Sequence, residues 1–275
     1  MTINYMVYNL EKGDYDADII GVLGRKSKYM NLLFNRRSKS DYILWRDTDM
    51  LLADGDSNKN LGWITESRDI DRKSYDTFLA NIDDLLPRFK YVFTNSRDLL
   101  TIDERIKWVP GNYTWVAKPM VYEHKVNLVS MITSSKVMCS GHRKRLELAI
   151  SLKDSVDLYG RGHRPIAAKE QGLASYLFSI AHENASYSGY FTEKVLDCFA
   201  TGTIPIYWGD PDIGQIFNMD GIIMLDDFNI NDLSPELYYS KIDAVKENCD
   251  IVKDNFMLIE DYMYDKYLRP LDDTI

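Results

Sequence analysis

The sequence predicts an α/β protein made of two doubly wound units, and three observations carry that expectation. Short apolar runs of strand length alternate with polar, helix-compatible stretches. The alternation halts at a Pro110-Gly111-Asn112 turn and restarts near Leu128. The length, 275 residues with 45% apolar side chains, suits one large domain or two smaller ones, and the restart favours two.

In the first unit, residues 42–45 (YILW) and 91–93 (YVF) read as buried strands, with a helix over 75–86 between them. Residues 121–125 read as a connecting segment. In the second, 128–132 (LVSMI) is an apolar run suited to a parallel strand, followed by a polar loop and a helix over 143–152. Residues 156–159 form the next strand, stopped by Gly160, and 176–181 another. A helix over 193–200 and a strand over 204–208 complete the pattern. The domains are therefore expected at 1–125 and 126–275. The acidic, helix-like stretch 235–262 packs across them, and its last helix packs back on the first domain.

Composition removes several function classes. Charged residues at 27% and aromatics at 12% are those of a folded chain and exclude a disordered or fibrous one. No apolar run is long enough to span a membrane. The N-terminal stretch lacks the basic start and apolar core of a secretory signal, and Cys139, Cys198 and Cys249 are too scattered for a disulfide scaffold. A cytoplasmic location is expected. The net charge of −9, from 42 acidic and 33 basic residues, is opposite to that of nucleic-acid binders, so no nucleic-acid partner is expected. A small anion needs only a few local cations. P-loop, HExxH, CxxC and GxSxG motifs are absent.

The densest chemistry lies in residues 176–218, YLFSIAHENASYSGYFTEKVLDCFATGTIPIYWGDPDIGQIFN. Thr192 can cap a helix whose Val195, Leu196 and Phe199 share one face, and Gly202 ends it. Glu193 and Lys194 then occupy the first turn, at the strand-to-helix mouth where α/β proteins bind ligands. Free backbone N–H groups, the helix dipole and the Lys194 charge suit a diphosphate. Glu193 there is either functional or a simple dipole partner. The run Ser140-Gly141-His142-Arg143-Lys144-Arg145 puts cations at a helix start, which is unfavourable unless an anion lies nearby. His182 is either a core residue or a ligand contact. Asp47-Thr48-Asp49 after the strand 42–45 resembles the D-x-D by which metal-dependent transferases hold a divalent cation.

The 176–218 stretch resembles the donor-binding motif of glycosyltransferase family 10, the α1,3/1,4-fucosyltransferases. The matches are Glu183-Asn184, Gly189-Tyr190, Thr192-Glu193-Lys194, Asp197, Phe199, Gly202 and Pro205-Ile206-Tyr207-Trp208-Gly209. Upstream, Val156 to Gly160 (VDLYG) also matches, and Arg143 stands at the spacing of the family's diphosphate-binding arginine. The resemblance covers residues 139–218 and is faint elsewhere.

It implies the GT-B type, two Rossmann-like doubly wound domains facing a central cleft, and an inverting transferase that needs no divalent metal. The implied donor is a GDP-sugar, GDP-fucose first, with GDP-mannose or a related sugar as alternatives because His182 and Leu177 depart from the family pattern. The acceptor would be a glycan or glycolipid. Arg143 and Lys194 would hold the diphosphate, Glu193 the donor sugar, and Asn184 and Tyr190 the nucleotide and its ribose. The family's general base follows an aromatic-apolar strand. The matching segment is Trp63-Ile64-Thr65-Glu66-Ser67-Arg68, with Arg68 in place of the family's proline, so Glu66 is the candidate base. A soluble bacterial or viral origin fits the lack of an anchor. Two other readings stay open: a metal-dependent GT-A type transferase using Asp47 and Asp49, and a non-catalytic nucleotide-sugar binding protein.

Overall fold

The computed structural model describes residues 3–8, 15–18, 25, 27–34 and 40–269, the strands before residue 40 by backbone alone. Much of the N-terminal stretch read for a leader lies outside the described residues. The chain divides into two units, Met1–Gly111 with Leu258–Ile275, and Asn112–Met257.

Unit 1 contains β1 (Ile3–Tyr8), β2 (Tyr15–Asp18), β3 (Met30–Phe34), β4 (Tyr42–Arg46), β5 (Asn60–Ile64), β6 (Tyr91–Thr94) and β7 (Ile106–Trp108). They form one sheet in the order β2-β3-β1-β4-β5-β6-β7, parallel except for β2 on β3. The helix expected over 75–86 is two: α1 (Arg72–Ala80) and α2 (Ile82–Leu85). Asp71 caps α1 by accepting from Ser74 N, and Asn81 breaks the run by turning its side chain back to the Thr77 carbonyl. Trp45, Ile64, Phe78, Phe89, Val92 and Ile106 make the core on the helical side.

Unit 2 contains β8 (Asn127–Ile132), β9 (Asp157–Tyr159), β10 (Tyr176–His182), β11 (Ile204–Trp208) and β12 (Ile223–Met224), in the order β12-β11-β10-β8-β9, all parallel. Its helices are α3 (Ser140–Ser151), α4 (Glu193–Ala200), α5 (Pro235–Ser240) and α6 (Ile242–Asn255). The long stretch expected over 235–262 is therefore broken, and its last part, α7 (Ile259–Met263), belongs to unit 1. All seven residues of β10 are buried, as a central parallel strand requires.

The boundary falls at 111/112 rather than 125/126. Residues 112–125 are tied to unit 2 throughout: Thr114 Oγ1 and Trp115 N donate to Asp197 Oδ1, and Met120 N donates to the Ala200 carbonyl. Buried Lys125 donates to the Ala174 and Tyr176 carbonyls and to Thr203 Oγ1, and burial lowers its pKa to about 7.

Both sheets reverse their order beside their first strand, between β1 and β4 in unit 1 and between β8 and β10 in unit 2. Such reversals open a crevice at the carboxyl ends of the strands; the starts of α3 and α4 follow the two strands at that of unit 2, and Asp47 and Glu66 follow β4 and its neighbour β5 in unit 1.

Candidate active site

In unit 2 the reversal brings the start of α3 against the loop after β10. A Cβ on Gly141 would lie 1.9 Å from the Asn184 carbonyl oxygen, so only glycine allows this approach. Cys139, the residue before α3, gives it no side-chain cap, and three basic residues, Arg143, Lys144 and Arg145, follow the first turn. Arg143 and Lys144 are exposed there, while Arg145 is 5% exposed. Arg145 Nη1 donates to Asn184 Oδ1 at 3.3 Å and, weakly, to the His182 carbonyl at 3.5 Å. Its Nε is buried without a hydrogen-bond partner, and burial lowers its pKa.

The second half of the cluster is the start of α4. Glu183, fully buried, accepts from Thr192 N at 2.9 Å, from Thr192 Oγ1 at 2.6 Å and from Lys194 Nζ at 3.2 Å. Lys194 also donates to Thr192 Oγ1 at 2.9 Å and to Glu193 Oε1 at 3.2 Å, which uses all three of its protons. The other Glu193 oxygen accepts from Asn112 Nδ2 at 3.0 Å. Burial opposes charge on Glu193, but Lys194 and Lys169 outweigh it and hold the carboxyl at about 2. Burial likewise opposes charge on Lys194, and Glu183 and Glu193 reverse that and raise its pKa. One turn along α4, burial pushes Asp197 up to about 6 despite Lys169, the Trp115 N–H and the Thr114 hydroxyl.

Unit 2 thus gathers Asn184, Glu193 and Lys194. Arg143 stands exposed on the α3 side with no hydrogen bond or ion pair to its guanidinium among the described residues. Tyr190 is 2% exposed and stacked on Tyr187 with ring centroids 4.9 Å apart. His182 is a core residue: 3% exposed, stacked on Trp208 at 4.3 Å, its pKa lowered to about 4 by burial. Glu66 lies in unit 1, exposed in the loop after β5. The D-x-D residues are also in unit 1, and the Asp47 carboxylate is occupied by Thr65 N at 2.9 Å and Thr65 Oγ1 at 2.8 Å.

Sequence reasoning gave no role to Arg145, Glu183 or Asn112. Arg145 was recognisable only as part of a basic run. Glu183 was a motif match whose work, holding the α4 cap, depends on a contact across nine residues. Asn112 reaches Glu193 across 81 residues, which no local pattern reveals.

Two doubly wound units, one with a cationic cluster at a strand-to-helix mouth, give the chain an α/β fold of the GT-B type. Residues 122–248 match the family model described as Glycosyltransferase family 10 (fucosyltransferase) C-term. An alpha-(1,3)-fucosyltransferase of Helicobacter pylori is 40% identical over 60 residues, 22% of this chain and 13% of that protein's length. A fucosyltransferase-like protein of Arabidopsis thaliana is 26% identical over 112 residues, 38% of this chain and 22% of that one. The matches thus span a minor part of these curated relatives. The crystal structure of an alpha1,3-fucosyltransferase has the same fold, with a TM-score of 0.56 at 16% identity over 99% of this chain and 89% of that one. With this fold the GT-A alternative falls: the chain holds two doubly wound sheets, and Asp47 braces a neighbouring loop. No helix among the described residues is long and apolar enough to cross a membrane.

Proposed function

We propose that the chain transfers fucose or a related sugar from a GDP-sugar to a glycan or glycolipid hydroxyl, with inversion and without an essential metal. The observation that carries this reading is the buried Glu183–Lys194–Glu193 cluster at the start of α4, inside the family-matched segment. A diphosphate at the uncapped start of α3 meets Arg143 and draws the Lys194 ammonium, competing with Glu193 for one of its protons. Glu193, kept as a carboxylate and still held by Asn112, then faces the donor sugar. Asn184, fixed by Arg145, and Tyr190 are assigned to the nucleotide and its ribose.

In the transfer step the acceptor O–H breaks, its oxygen bonds the anomeric carbon, and the bond from that carbon to the phosphate oxygen breaks. GDP leaves with the electron pair and Glu66 takes the proton. Positive charge on the sugar is stabilised by Glu193 and negative charge on GDP by Lys194 and Arg143. Metal-free neutralisation by side chains is the cofactor arrangement this implies, and unit 1, which carries Glu66, is the proposed acceptor-binding unit.

The test separates the two roles. Glu66→Gln is expected to abolish transfer from GDP-fucose and leave GDP affinity unchanged. Lys194→Ala is expected to weaken GDP binding by about 1.5–3 kcal/mol in calorimetry. Full transfer by Glu66→Gln removes the base, and unchanged affinity in Lys194→Ala removes the diphosphate site.

A further inference from the structure

Unit 1 holds an arrangement that the transfer chemistry leaves unexplained. Asp47, the residue after β4, has φ +52°, the one non-glycine residue among the described residues in the left-handed region. That conformation costs an ordinary L-residue about 1–2 kcal/mol, though Asp and Asn bear it best. A glycine there would avoid the cost but would offer no acceptor.

The Asp47 side chain turns to the loop after the neighbouring strand, β5. Oδ1 accepts from Thr65 N at 2.9 Å, and Oδ1 and Oδ2 accept from Thr65 Oγ1 at 3.1 and 2.8 Å. Asn95, 2% exposed just after β6, grips the same loop by its carbonyls: Nδ2 donates to Thr65 O at 3.1 Å and to Glu66 O at 3.4 Å. The Thr65–Glu66 backbone is therefore held at its N–H by a carboxylate and at its carbonyls by an amide. The Glu66 side chain that this backbone carries is exposed. Three successive parallel strands, β4, β5 and β6, each contribute one part of the clamp at their carboxyl ends.

We propose that Asp47 and Asn95 are positioning residues that fix the Thr65–Glu66 backbone so that Glu66 meets the acceptor hydroxyl. The inference rests on Glu66 being the base. A base on a loop free to shift by about 1 Å would lose on the order of 100-fold in rate, which gives the clamp its purpose.

The experiment measures GDP release from GDP-fucose with water as acceptor, using the full chain, together with calorimetric GDP affinity and hydrogen exchange across residues 60–68. Asp47→Ala and Asp47→Gly are each expected to slow release by about 30-fold at unchanged GDP affinity, and to speed exchange at the Thr65 amide. Asp47→Asn keeps an oxygen for that amide and tolerates the left-handed φ, so it is expected to recover release to within about 5-fold of wild type. In a Glu66→Gln background, Asp47→Ala is expected to add less than about 2-fold, because it acts through the missing carboxylate. If Asp47→Gly restores release, or Asp47→Ala loses GDP affinity in step with it, Asp47 serves the fold alone and the proposal is overturned. It is also overturned if Glu66→Gln stops release while Asp47→Ala leaves it untouched. Full release by Glu66→Gln instead removes the base reading itself.

Discussion

Unit 2 fixes its candidate site side chains with buried charge, whereas unit 1 fixes its own with backbone geometry. At the start of α4, Lys194 Nζ lies 3.2 Å from both Glu183 Oε2 and Glu193 Oε1, with the two carboxylates buried and the lysine half-buried. At the carboxyl ends of β4, β5 and β6, a strained Asp47 and a buried Asn95 hold a loop whose Glu66 is exposed. The sheets have matching orders around their reversal points, so the scaffold is not what differs. The difference follows the proposed tasks. A site for an anionic ligand needs cations kept in place before the ligand arrives, and buried carboxylates do that. A base needs an exposed carboxylate with a fixed approach, and a clamped loop does that.

The largest effect that can break this contrast is expected from Glu183→Ala. It leaves the Thr192 N–H and hydroxyl without their acceptor and removes one of the two carboxylates on Lys194, a loss of about 3–5 kcal/mol. Glu66→Ala, in the exposed loop of unit 1, is expected to change stability by less than about 0.5 kcal/mol. Denaturant midpoints of the two variants check this, and equal losses would erase the distinction.

A smaller effect sharpens it. Burial raises the Asp197 carboxyl from the usual 3.8 to about 6, so between these values the folded protein binds a proton that the unfolded chain does not. The associated stability is complete below about pH 4 and is lost as pH rises through about 6, a change on the order of 2–3 kcal/mol. Glu193 runs the other way: its carboxyl is held at about 2 against the usual 4.5, so its contribution is present above 4.5 and is lost as pH falls towards 2. Asp197→Asn is expected to flatten stability between pH 4 and 6 in thermal melts. An unchanged slope would mean that Asp197 is not the buried acid described.

The same contrast decides what could be read from the sequence. β10, α4 and β11 follow from unbroken apolar runs and a capped helix start, because a strand buried on both faces and an ion cluster each demand particular residues at close spacing. β5 is visible only through the family resemblance. Its Asn60 is a buried polar residue, bonded to Trp45 Nε1 and to the Asp54 and Arg88 carbonyls, and it interrupts the apolar pattern. Arg143 and Arg145 are indistinguishable in the basic run, yet α3 exposes one and buries the other. Asp47 was legible as half of a D-x-D, but its positive φ and its bonds to Thr65 are products of strand pairing. The Asn112–Glu193 contact likewise exists only once residues 112–125 fold onto unit 2.

The most direct test of the account is a calorimetric titration of the chain with GDP and with UDP, each with and without Mn²⁺. GDP binding is expected that does not depend on the metal and is weakened in Lys194→Ala. Binding of UDP alone, and only with Mn²⁺, would contradict it.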